Sequence, residues 1–101
     1  MFPWTDAWLL QSLIYAREPA DRDRMRAVGD YICHAIFTDE ELDGGLDRLM
    51  RAGHVVAVGD RFAPSPQVLG WHAAGKKRTS VLKDLERVQA FLDAPAPGAT
   101  R

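Results

Sequence analysis

At 101 residues the chain is long enough to bury the core of one domain without a metal or disulfide staple. Thirteen Lys and Arg against fourteen Asp and Glu leave a formal charge of −1, which offers no global attraction to nucleic acid or to an anionic membrane. Cys33 is the single cysteine, so a disulfide framework is excluded and a buried structural thiol is expected.

No apolar run approaches the roughly 20 residues that span a bilayer. The start, Phe2-Pro3-Trp4 followed closely by Asp6, has no basic leader pattern. A cytoplasmic protein without a membrane partner is the expectation.

Taken in chain order, Thr5 or Asp6 can cap a first helix running to about Arg17. Its Trp8, Leu9, Leu10, Leu13 and Ile14 make a broad apolar face, and Pro19 closes the segment. A second helix is predicted from about Asp23 to Ala35, where Met25, Val28, Ile32 and then Ala35 or Ile36 recur at spacings of three and four. The link through His34 to Phe37 is short, so the next helix must cross steeply.

The third helix is the most fully specified element. Thr38 reads as its N-cap and Glu41, three residues on, completes a capping box, while Phe37 and Leu42 occupy the positions of a hydrophobic staple. Asp39, Glu40 and Glu41 suit the positive end of the helix dipole. Leu42, Leu46, Leu49 and Met50 give the apolar face, and Gly53 supplies the left-handed stop. Gly44 and Gly45 interrupt the pattern at a cost of roughly 1 kcal/mol each relative to alanine, which points to close approach of another helix.

After Gly53 the period becomes alternating, with Val56 and Val58 on one side and Val55 and Ala57 on the other. Gly59-Asp60 suits a primed two-residue turn, Arg61-Phe62-Ala63 the return strand, and Pro64 and Pro66 the end of pairing. Leu46-x-x-Leu49-x-x-Ala52-Gly53-His54-Val55, the Gly-Asp turn and Phe62-x-Pro64 together resemble the end of winged helix-turn-helix domains of bacterial regulators, MarR-like and related small proteins. The likeness extends over about residues 6 to 72. It implies a mainly α fold with a small β-hairpin (α+β): a three-helix core, a wing, and a C-terminal helix. In DNA-binding members the positions matching Asp39, Glu40, Asp43 and Asp47 are commonly small polar or basic. The departure here speaks against sequence-specific reading of DNA.

Beyond the hairpin, Ser65 can cap a short helical turn over Pro66 to Ala74. Gly75 separates it from the basic run Lys76-Lys77-Arg78. A last helix is predicted from about Thr79 to Asp93, with Val81, Leu85, Val88 and Leu92 forming a narrow coiled-coil seam that Leu82 and Phe91 widen. The domain organisation is therefore a winged-helix domain over 1–75, an amphipathic helix over 76–93 packed on that domain or on a partner, and a disordered tail over 94–101 rich in proline.

No catalytic, cofactor or metal site is expected. Asp30 and His34 share a helical spacing, yet no second histidine, CxxC or HExxH accompanies them, and Cys33 and His34 point about 100° apart on a helix. Basic residues that could meet phosphate are Arg61 at the wing, the group Arg22, Arg24 and Arg26 interleaved with acids, and Lys76, Lys77 and Arg78. The leading expectation is a non-enzymatic module acting through protein association, as a homodimer or with another protein, through Val81, Leu82, Leu85, Val88 and Leu92 with Trp71 adding contacts. The alternative is a DNA-binding transcriptional regulator that uses the wing and the basic residues.

Overall fold

One helix organises the molecule. In the computed structural model, which describes residues 2–75 and 80–94, α1 (Trp4–Ala16) is buried along almost its whole length from Asp6 to Ala16. A helix apolar on all sides has to be enclosed, and α2 (Arg22–Cys33), α3 (Asp39–Arg51) and α5 (Val81–Asp93) pack around it. The hairpin β1 (Val55–Val58) and β2 (Arg61–Pro64) adjoins α1 through β2 and leads into α4 (Pro66–Ala74). The architecture is mainly helical with one two-stranded antiparallel sheet, an α+β chain.

The local signals of α3 are realised. Glu41 N–H donates to Thr38 Oγ1 at 3.0 Å, and Thr38 N–H donates to Glu41 Oε1 at 2.9 Å. Phe37 and Leu42, the two positions of the staple, are both buried. Gly53 takes φ 82° and Gly59 φ 65°, and the register Val58↔Arg61 leaves Gly59-Asp60 as the two-residue turn. Asp21, Ser65 and Ser80 cap α2, α4 and α5 through their side chains.

Other boundaries depart from expectation for physical reasons. Neither Thr5 nor Asp6 caps α1, which begins at Trp4 with Pro3 in the cap position and no side-chain cap. Asp6 is instead fully buried and bound by Arg48. The second helix ends at Cys33 rather than Ala35, because His34 turns left-handed at φ 55° and leaves Ala35 and Ile36 exposed. That turn brings Phe37 onto Trp8, with ring centroids 3.7 Å apart, while the Trp8 indole donates to Gly29 O at 3.0 Å. Met50 sits at the exposed margin of α3, not on its core face.

Pro64 was expected to end the pairing and instead faces Val55 within it. Ser65 N–H donates to His54 O at 2.8 Å, which makes the next step outward the hydrogen-bonded one and leaves the proline at a position where no N–H is needed. By the same alternation Phe62 turns its backbone away from β1, and it exchanges two hydrogen bonds with Ala20, at 2.8 and 3.0 Å. The segment after Pro19 is thereby tied to the hairpin. The turn predicted over Pro66 to Ala74 is a full nine-residue helix.

Candidate functional site

The outer face of α3 carries acids, and α2 answers them from within the same chain. Arg22 pairs with Asp39 at 3.7 Å and with Asp43, and Arg26 pairs with Asp39 at 2.5 Å while its Nε donates to Phe37 O at 3.0 Å. The hydrogen bond and charge of Arg26 hold the Asp39 carboxyl below its ordinary range. Arg51 pairs with Asp47 at 3.2 Å. Two of the three arginines noted at the start of α2 are therefore occupied, and Glu40 stands exposed without an ion pair among the described residues.

Arg61 lies exposed beside the Gly59-Asp60 turn. Lys76, Lys77 and Arg78 lie outside the described residues, as do the predicted start of the last helix at Thr79 and all but Ala94 of the 94–101 tail. Asp30 and His34 are related through the backbone, His34 N–H donating to Asp30 O at 2.7 Å, and no group of three or more potential metal ligands occurs among the described residues.

The stripe on α5 faces the chain's own core. Val88 and Leu92 are buried, Val81, Leu85 and Phe91 are half-buried against that core, and Leu82 is left 64% exposed. Trp71 stacks on Phe91 with centroids 4.4 Å apart and lies beneath the Arg87 guanidinium at 5.0 Å. Gln11 Nε2 donates to Val81 O at 3.0 Å, fixing the start of α5 on α1.

A buried carboxylate joins three helices at this end. Asp84 accepts from Tyr15 Oη at 2.7 Å and Arg87 Nη1 at 2.8 Å, and lies 2.8 Å from His72 Nε2. Burial alone would raise the Asp84 pKa, but the hydrogen bonds from His72 and Tyr15 and the nearby positive charge outweigh it, and the net direction is down. Burial and the bond to Asp84 push Tyr15 up to about 12.

Beside this node, a cleft of about 840 Å³ opens between the end of α1, the outer side of α2 and α4. Ile14, Val28, Tyr31 and Leu69 give it apolar walls, Tyr15 and His72 lie where Asp84 holds them, and Arg17 and Arg24 stand among its lining. Sequence reading did not single out Tyr31, Leu69 or Arg17. The available signal was a second pair of apolar residues at i,i+4 on each helix, Ala27 with Tyr31 and Leu69 with Ala73, displaced from the core-facing stripe.

No described helix is long and apolar enough to cross a membrane. No family model, curated protein or solved structure matches the chain.

Proposed function

We propose that this chain is a small winged-helix module that works by binding another protein, without catalysis and without reading DNA sequence. The winged-helix reading is supported by the order of three helices and a hairpin, by the tight α2–α3 link, and by the Ala20–Phe62 bridge that ties the hairpin to the helices. The observation that carries the functional reading is the pairing of Arg22 and Arg26 with Asp39 and Asp43. In a DNA reader those cations would be free for phosphate and the third helix would not present carboxylates to it.

The stripe on α5 is a weaker candidate for self-association than its sequence suggested, because its central residues already pack on α1. The cleft between α1, α2 and α4 offers another apolar surface, with Tyr31 and Leu69 exposed on its flanks. Fluorescence anisotropy with labelled duplex DNA at physiological salt tests the reading, and weak binding without sequence preference is the expected result. Arg61, exposed and without an ion pair among the described residues, favours the alternative of a DNA-binding regulator. Sub-micromolar, sequence-selective binding lost in Arg61→Ala would establish that alternative in place of the present reading.

A further inference from the structure

The cleft between α1, α2 and α4 has a chemistry that narrows what can cover it. Tyr31 is 70% exposed and Leu69 45% exposed, so its two flanks stand largely in water. Small-molecule sites enclose most of the ligand surface, roughly 70–90% of it, and flanks this open do not. An extended body laid along the cleft would cover both.

Charge then selects among such bodies. Arg17 and Arg24 make no ion pair among the described residues, whereas Arg22, Arg26, Arg48, Arg51 and Arg87 are each paired to a carboxylate of this chain. Among the described residues the Arg24 side chain reaches only the Ala16 carbonyl, at 3.4 Å. The polar atoms of Tyr15 and His72 that meet Asp84 are already satisfied, so the charged side chains of the lining left without a carboxylate partner among the described residues are Arg17 and Arg24.

Resting on the protein-binding reading, we propose that the cleft receives an acidic amphipathic helix of another protein. Aliphatic side chains at i and i+3 or i+4 seat between Tyr31 and Leu69 over Ile14 and Val28, and a flanking Glu or Asp meets Arg17 and Arg24. A second copy of this chain is a poor occupant. Its exposed acids are spread over several elements: Glu40, Asp43 and Asp47 on α3 are accompanied by Gly44, Arg48 and Arg51 instead of an apolar stripe, and Glu86 and Asp93 lie on α5, whose Val88 and Leu92 are already buried in the chain's own core.

Two labelled synthetic helices sharing one leucine pattern, one with glutamate and one with lysine at the flanking positions, provide the probes. The glutamate helix is expected to bind and to shift the backbone NMR signals of Arg17, Tyr31 and Leu69, more weakly as salt rises. In Arg17→Glu/Arg24→Glu, shown folded by circular dichroism, its affinity falls about tenfold or more and the lysine helix gains. Leu69→Asp weakens both. Equal binding of the two helices, shifts confined to other surfaces, no response to the arginine reversals, or no binding of either helix would overturn the proposal. Decanoate filling the cleft while neither helix binds would also overturn it, in favour of a small carboxylate. Preference for the lysine helix within the cleft would reject the acidic partner while leaving the protein-binding reading intact. Sequence-selective DNA binding would reject that reading itself.

Discussion

Arg48 holds the buried carboxylate of Asp6 with both ends of its guanidinium, Nε to Oδ2 at 2.6 Å and Nη2 to Oδ1 at 2.9 Å, and so ties α3 to α1. The two partners are unequal. The Asp6 side chain is fully enclosed, whereas 45% of the Arg48 side chain is exposed. Removing the arginine strands a charge in the core, but removing the acid's charge frees an arginine that can turn to water. Arg48→Met is therefore expected to cost about 3 kcal/mol of stability and Asp6→Asn about 1 kcal/mol. Urea unfolding of both variants checks the order, and a reversed order would contradict this consequence of unequal burial.

The two adjacent glycines of α3 separate on the same geometry. A Cβ on Gly45 would lie 2.8 Å from Leu9 Cδ2 and 3.0 Å from Asp6 Oδ1, side chains that packing and the ion pair hold in place. On Gly44 it would meet only the Arg48 guanidinium, nearest at Nη1, 3.2 Å away, the nitrogen that does not bind Asp6. Gly45→Ala should lower stability by about 1–2 kcal/mol after the helix-propensity gain is counted, and Gly44→Ala should raise it by up to about 1 kcal/mol. Thermal melts that move both variants the same way would contradict this.

What could be read from the sequence and what could not divides along chain separation. Thr38, Glu41, Gly53 and Gly59-Asp60 act on neighbours within a few residues, so composition and spacing determine their role. Asp6 and Arg48 are 42 positions apart and Tyr15 and Asp84 are 69 apart. Nothing in the local pattern distinguishes Asp6 as a buried ion from Asp6 as a cap. The glycines illustrate the boundary: close packing was legible, but the neighbours are the Leu9 and Asp6 side chains of α1 at Gly45 and the Arg48 guanidinium at Gly44. The cleft was missed for the same reason, since its walls come from three helices whose outer faces carry ordinary-looking residues.

Tyr15 supplies the alkaline limit. Its pKa, raised by burial and by donation to Asp84, lies at about 12 in the folded chain against an ordinary value of 10. Between those values the unfolded chain loses the proton first, so the contribution is whole below pH 10 and is lost as the pH rises through 12. Stability should fall over that window in the wild type and fall less in Tyr15→Phe. Urea midpoints measured across the range, with phenolate absorbance read in parallel, test both statements.

His54 acts at the opposite end. Burial between the rings of Phe2 and Phe91, with centroids 6.0 and 5.2 Å away, pushes its imidazole below the ordinary 6.5. A depressed histidine favours folding in its neutral form. Its contribution is complete above 6.5 and declines as the pH falls through the folded value, whereas that of Asp84, itself depressed below 3.8, is complete above 3.8 and is lost as the pH falls through its own folded value. His54→Leu should remove the first decline and retain the second. A single acid transition, unaltered by the substitution, would place the loss on other carboxylates.

The helix that closes the fold gives the sharpest contrast between core and surface. On α5, Val88 is fully buried and Leu82, on another face, is 64% exposed, so one charge placed at each position tests which side of the helix is occupied. Val88→Asp puts an unpaired carboxylate against α1 and is expected to cost more than about 3 kcal/mol, enough to unfold a marginal domain. Leu82→Asp should leave stability within about 0.5 kcal/mol, as for other surface substitutions. Sedimentation equilibrium extends the comparison to association. If the stripe serves only the chain's own core, the wild type and Leu82→Asp have the same mass across the micromolar range. A dimer that Leu82→Asp dissociates without loss of stability would instead assign the outer face of α5 to a second copy, and self-association would return as the leading mode of binding.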